Sequence, residues 1–245
     1  MTTVVLAMGG HQHDGVTFAD WDWDQYPLGI LVALPYLPAY RRIDTASWRP
    51  TMRILDSGAF SAWKSGKVVD IDALVEASKD PYWDETVGLD VIGSAEGSRK
   101  NLDYMRAKGS PAMPVFHIGD DWGLLEHYCR NWDKVGLSCR FGEPVKESLR
   151  FYEQCFARQW PHKFHSFGWT AAAMLRRFPF HSADSATWAL APRSFNNLCI
   201  GPDLKQVHFR GVRIDGPIFA GQQAKAYARL HVELRERWAK ELARL

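Results

Sequence analysis

Short apolar runs recur along this chain, and the spacing between most of them leaves room for one helix. The runs are Val4–Met8, Ile30–Leu34, Met52–Leu55, Val87–Ile92, Met113–Ile118, Lys134–Cys139, Lys163–Phe167, Phe180–Ala183 and Leu198–Ile200. Helical patterns fill several of the intervals. Asp70–Lys79 opens on an Asp cap and carries Ile71, Leu74 and Val75 at helical spacing, and Ser98–Lys108 is stopped by Gly109. Gly123–Trp132, Val145–Gln159 and Thr170–Arg177 continue the series. Strands alternating with helices imply βαβ units and a parallel sheet. About eight such strands favour a closed barrel over an open sheet, and the remaining candidate run is then a hairpin or an extra strand. The expected fold class is α/β, a TIM (β/α)8 barrel forming a single domain over residues 1–245. A C-terminal helix at about 222–245 carries Ala226, Leu230, Leu234, Trp238 and Leu242 in one stripe, which suits a helix of the barrel's outer ring.

Composition narrows the function classes. No run of 18 apolar residues exists, so a membrane-spanning helix is not expected. The N-terminal sequence lacks the basic region of a signal peptide. Cys129, Cys139, Cys155 and Cys199 are scattered without a Cys-x-x-Cys pair, so neither a structural zinc site nor a disulfide framework is indicated. A cytoplasmic location is the expectation. The net charge of +2 neither demands nor excludes nucleic acid. The 11 tryptophans are many for this length; most belong to packing, while exposed ones can stack on bases.

The residues at the end of each strand are more informative. Met52–Leu55 leads into Asp56 and Ser57, Val87–Leu89 into Asp90, and Val115–Phe116 into His117 and Gly119. Val135–Leu137 leads into Ser138, Phe164 into His165, Ser166 and Gly168, and Ala183 into Asp184 and Ser185. In a barrel these carboxyl ends carry the chemistry. Three carboxylates, two imidazoles and several small residues then line one mouth.

Two of these segments resemble motifs of the tRNA-guanine transglycosylase superfamily, most closely its phage and bacterial DNA-modifying branch, the DpdA-like 7-deazaguanine transglycosylases. Asp56-Ser57-Gly58-Ala59-Phe60 matches the Asp-Ser-Gly-(Gly/Ala)-Phe motif, and Asp184-Ser185-Ala186-Thr187-Trp188-Ala189 matches Asp-Ser-Ala-Ser-(Tyr/Trp)-Ala. His165-Ser166-Phe167-Gly168 resembles the strand end just upstream. The resemblance runs from about Ile54 to Leu190. It implies a TIM barrel that exchanges guanine for a 7-deazaguanine, such as 7-cyano-7-deazaguanine, in a polynucleotide without a cofactor. Asp184 matches the nucleophile that attacks C1′, Asp56 the acid that moves the base's proton, and Asp90 the acid that reads the purine N–H edge. Gly136 and Leu137 match backbone contacts to the base, and His117 stands where the tRNA enzymes carry glutamine. Ser57, Ser138, His165 and Gly168 complete the expected substrate-binding set. Of the zinc-ligand cysteines that come after the nucleophile in the tRNA enzymes, only Cys199 lies beyond Asp184 here, so that site is absent or remade with His208 and others. That shortness shifts the expected polymer from tRNA to DNA.

The residue types suit this chemistry on their own. Displacing a base at an anomeric carbon passes through an oxocarbenium-like state that a carboxylate stabilises or traps. A second carboxyl manages the proton, and the target base must leave the stack. Arg140, Arg176, Arg177 and Arg193 flank strand ends and are the candidate phosphate contacts. The partners expected are DNA, the free 7-deazaguanine base and accessory modification proteins, with no membrane. Each assignment has a structural rival. Asp56 can cap a turn, Asp184 can cap the helix after it, Asp90 can be a turn acid, and His117 can be a satisfied core histidine. Other functions weighed are base exchange on tRNA, an inactive barrel that binds nucleic acid, and a metal-dependent hydrolase using His11, His13 and Asp14.

Overall fold

In the computed structural model, β-branched and aliphatic runs form the strands of one sheet. The structure describes residues 2–8, 17–139, 142–189, 198–201, 204, 206–208 and 216–243. Its strands are β1 (Thr3–Met8), β2 (Gly29–Ala33), β3 (Met52–Asp56), β4 (Glu85–Thr86), β5 (Val115–His117), β6 (Lys134–Ser138), β7 (Lys163–Ser166) and β8 (Ser182–Ser185). They lie in the order β4-β3-β2-β1-β8-β7-β6-β5. The two end strands are joined in turn by a parallel bridge between Val87 and Met113. There the Gly88 N–H donates to Met113 O at 2.9 Å and the Met113 N–H to Thr86 O at 2.8 Å. The order therefore returns on itself, and the chain is a (β/α)8 barrel. The ninth candidate run is β9 (Leu198–Ile200), which forms an antiparallel hairpin with β10 (Gln206–His208) outside the barrel sheet.

The chain divides into two compact units. The first comprises residues 1–31, 36–52 and 168–245. In it β1 pairs in parallel with β8, Val5 opposite Asp184. Phe18 is fully buried among Trp21, Trp23, Trp48 and Trp188, with ring centroids 5.0 to 5.7 Å away. Removing such a ring costs about 3–5 kcal/mol. The C-terminal helix Gly216–Leu242 packs on β1 through a stripe that buries Ala224, Tyr227, Leu230, His231, Leu234 and Trp238. It begins at Gly216 rather than near 222, with Pro217 in the first turn, where no N–H is needed.

The second unit comprises residues 32–35 and 53–167. Its strands alternate two faces. Phe116 turns to the helices, against Trp122 and Phe151, and Phe164 against Phe156. Ser166 Oγ meets Tyr152 Oη at 3.2 Å on the same side. The opposite face presents His117 next to Ser138 and Gly136 next to His165, by the β5–β6 and β6–β7 registers.

Several boundaries differ from the sequence reading. The strand expected over Val87–Ile92 ends at the Val87 bridge. Beyond it, helix Ala95–Ala107 satisfies the backbone in place of a ladder. Asn101 Nδ2 donates to Leu89 O at 3.0 Å, and Ser98 Oγ accepts the Val91 N–H at 2.9 Å. Ser98 is thus not the helix cap; Ser94 is, accepting the Gly97 N–H. Asp70 does cap helix Ile71–Ser78, accepting from Asp72 and Ala73. Gly109, at φ +82°, comes just after the end of Ala95–Ala107 as expected. The helix expected over Thr170–Arg177 is the shorter Ala172–Leu175.

Candidate active site

The second unit holds the larger set of expected residues. Asp56 ends β3, and its Oδ2 accepts the Gly58 N–H at 2.8 Å, so it does close a local turn. Ser57 is buried, with its Oγ 3.4 Å from the Ala59 N–H. Gly58 sits at φ +76°, and a Cβ there would lie 2.4 Å from Pro35 Cδ. Backbone conformation and space both demand glycine at this point of the motif. The turn feeds helix Ala59–Lys64, on which Phe60 is 45% exposed and its ring is 6.0 Å from that of Trp63.

Asp90 lies on the loop pinned by Ser98 and Asn101. Its Oδ2 is 3.4 Å from His117 Nε2, while His117 Nδ1 is 3.7 Å from Asp120 Oδ2. The same Asp120 oxygen accepts the His117 backbone N–H at 2.9 Å. Burial is the strongest single influence on His117 and opposes its charge. Hydrogen bonding to Asp120 and Asp90, together with their negative charges, outweighs it and raises the imidazole to about 10. His117 is therefore a cation held between two carboxylates at neutral pH. Tyr128, buried nearby, is pushed up to about 12 by burial and then by the charges of Asp90 and Asp120. Sequence reading missed Asp120; the signal was the His117-Ile118-Gly119-Asp120 turn, which Gly119 closes at φ +95°.

Gly136 and Leu137 are ladder residues. The Gly136 N–H donates to Pro114 O at 2.9 Å, and Leu137 O accepts the Phe167 N–H at 3.0 Å. The Leu137 side chain is fully buried on the helix-facing side, and the expected contact is one of its backbone. A Cβ on Gly136 would lie 2.3 Å from the Phe167 ring. The His165 ring is fully buried and meets Phe167 edge-on at 4.4 Å. Ser138 Oγ is 3.5 Å from Cys139 O.

In the first unit, Asp184 lies inside β8 rather than after it and is 6% exposed. Its Oδ1 accepts the Gly168 N–H at 3.2 Å, which Gly168 presents from φ +68°. The capping task proposed as its rival falls to the next residue: Ser185 Oγ accepts the Thr187 N–H at 3.0 Å and meets Thr187 Oγ1 at 2.6 Å. Trp188 is fully buried, donating Nε1–H to Ala7 O at 3.0 Å, so it packs rather than stacks on a base.

The candidate phosphate contacts fare differently. Arg176 is engaged in docking the C-terminal helix. Its Nε and one terminal nitrogen each lie 2.6 Å from a carboxylate oxygen of Glu233 on the C-terminal helix, the two-pronged geometry in which guanidinium pairs strongly. Arg177 lies over the Phe178 ring, 5.7 Å from its centroid. Arg140, Arg193, His11, His13 and Asp14 fall outside the described residues, as do the side chains of Cys199 and His208. Among the described residues, no three His, Cys, Asp or Glu side chains gather as a cation's ligand set, and no helix is long and apolar enough to cross a membrane. A depression lined by Cys129, Trp132, Asp133, His162 and Lys163 opens at the amino-terminal ends of β6 and β7, the end that in barrels serves stability rather than chemistry.

No protein-family model matches this chain, and no curated protein matches it. Solved structures do match its fold. A mutant tryptophan synthase alpha-subunit from the hyperthermophile Pyrococcus furiosus is 12% identical, with a TM-score of 0.57 over 95% of this chain and 97% of that one. The tryptophan synthase alpha chain of Legionella pneumophila subsp. pneumophila is 11% identical, with a TM-score of 0.54 over 95% and 92%. A structural-study target from Aquifex aeolicus VF5 is 10% identical, with a TM-score of 0.56 over 96% and 93%. At such identities the likeness is one of fold.

Proposed function

We propose that this protein is a base-exchanging transglycosylase that replaces guanine in DNA with a 7-deazaguanine base. The observation that carries the reading is Asp184: a nearly buried carboxylate inside barrel strand β8, one residue before its end, that accepts the Gly168 N–H while Ser185 closes the turn that follows. The (β/α)8 fold supports an enzyme, because this architecture concentrates chemistry at the carboxyl ends of its strands.

In this reading the Asp184 carboxylate attacks C1′ of the target nucleotide. The C1′–N9 bond breaks as the C1′–O bond forms, and guanine leaves with the proton that Asp56 supplies. The incoming deazaguanine gives its N9 proton to Asp56 and displaces Asp184 from C1′, so one base replaces the other with no net redox change. Asp90 accepts the N–H donors of the purine edge, and His117 keeps that carboxylate in place. Water is excluded while the glycosyl-enzyme persists.

The test is incubation of the protein with radiolabelled guanine and either DNA or tRNA. Incorporation into DNA that is lost in Asp184→Ala, with DNA binding retained, supports the reading. Full exchange by Asp184→Ala rules out the nucleophile, and incorporation into tRNA alone moves the substrate to RNA. Nucleoside mass spectrometry of DNA from cells expressing the protein, supplied with a 7-deazapurine, identifies the inserted base.

A further inference from the structure

The Phe167 ring occupies the space that a side chain on Gly136 would fill. A Cβ built on Gly136 meets three of the ring's carbons, at 2.3, 3.1 and 3.2 Å. The ring is also buttressed from the side by the fully buried His165, edge-on at 4.4 Å. Phe167 itself is only half-buried. Continuing the β6–β7 register one residue beyond Leu137–Ser166 sets Ser138 opposite Phe167, and the β5–β6 register sets His117 opposite Ser138. One row at the strands' carboxyl ends therefore runs Phe167, Ser138, His117, and His117 carries Asp90. An aromatic ring whose edge abuts Gly136 and which His165 braces, two strands from an acceptor carboxylate, has the features needed to hold a flat heterocycle bearing N–H donors on one edge.

We infer that Phe167, seated on Gly136 and braced by His165, is the platform on which the exchanged purine base stacks. This rests on the base-exchange reading and assigns that site a residue the reading does not use. Base–aromatic stacking tolerates any flat ring, so the platform supplies affinity while Asp90 supplies selection among bases. Glycine at 136 is then a functional requirement, because only an absent side chain leaves room for the edge of the ring.

Isothermal titration of the intact protein with free guanine and with 7-cyano-7-deazaguanine tests the inference. Phe167→Leu keeps apolar volume and removes the ring, and binding is expected to weaken about tenfold or more. Phe167→Trp should stay within about threefold of wild type. Gly136→Ala leaves the ring in the chain but pushes its edge out of place, and should weaken binding as Phe167→Leu does, which keeps the test alive if either variant folds poorly. In exchange assays the loss should appear in KM for the free base rather than in kcat. Wild-type affinity in both Phe167→Leu and Gly136→Ala, with Asp90→Asn impaired, would overturn the platform and leave the base-exchange reading standing. No binding of either base by the wild type overturns both.

Discussion

His117 Nε2 stands 3.4 Å from Asp90 Oδ2, while its other ring nitrogen faces Asp120. Both ring nitrogens are thus directed at carboxylates, and the imidazole is poorly placed to shuttle protons at neutral pH. Its work is electrostatic: it places a positive charge between two acids that sit close together.

Replacing this cation exposes that work. In His117→Gln the two carboxylates lose the positive charge between them, and Asp90 loses the group that holds it. If the base-exchange reading holds, kcat/KM for exchange should fall in the variant because Asp90 is no longer held in place. Stability gives an independent readout. The folded imidazole titrates near 10 against 6.5 when unfolded, so its contribution is complete below pH 6.5 and lost as pH rises toward 10. Chemical denaturation at pH 7 and pH 10 should show wild type losing on the order of 3 kcal/mol more than His117→Gln.

His231 behaves in the opposite sense. Burial, then the charge of Arg235, lowers it to about 4, while the Val4 N–H donates to its Nδ1 at 3.3 Å. A histidine depressed from 6.5 is a neutral structural acceptor, so its stabilisation is present above pH 6.5 and lost as pH falls toward 4. The difference in unfolding free energy between pH 7 and pH 4.5 should be smaller in His231→Gln than in wild type by on the order of 2–3 kcal/mol.

Arg176 and Glu233 tie helix Ala172–Leu175 to the C-terminal helix, and Arg176 also lowers the pKa of Glu233. Both side chains keep about a third of their exposure, so solvent screening limits the pair. Arg176→Gln should cost about 1 kcal/mol in denaturant melts. DNA affinity and its salt dependence should stay unchanged, whereas a drop in the salt slope would restore Arg176 as a phosphate contact.

Gly58→Ala should be the most damaging change in the Asp-Ser-Gly turn. It forces a side chain into φ +76° and within 2.4 Å of the Pro35 ring, and the combined cost is about 2–4 kcal/mol. Thermal unfolding measures the loss. Gly66→Ala is the control, since Gly66 has a similar φ of +65° but nothing within 4 Å.

The alternation of strands and helices was legible because burial on the barrel sheet writes itself as apolar runs. Most runs overlap their strands closely, including Met52–Leu55, which grows into β3 (Met52–Asp56) by a single residue. Val87–Ile92 misled because apolar Val91 and Ile92 sit exposed on a loop, its backbone satisfied by Ser98 and Asn101, side chains that a local apolar pattern does not weigh. Polar strand ends identified Asp56, Asp90, His117 and Asp184 as candidates. What they touch depended on partners distant in sequence. Glu233 lies 57 residues from Arg176, and Phe167 covers a glycine on a different strand. Asp120 was the near miss, since its turn with Gly119 is local.

The first strand has a peculiar birth order. β1 finds its β8 partner only at Ser182–Ser185, and the Val4 N–H meets its acceptor at His231, 227 residues away. At about 5–20 residues per second of synthesis, β1 waits on the order of 10 to 40 s for β8 and for His231. The segment 53–167 carries most of the other unit in one continuous stretch and can assemble meanwhile. β2 can cover one edge of β1 early, but the edge that Val4, Val5 and Leu6 present to β8 stays open for that interval, and an open strand edge invites edge-to-edge association until Ser182–Ser185 is made.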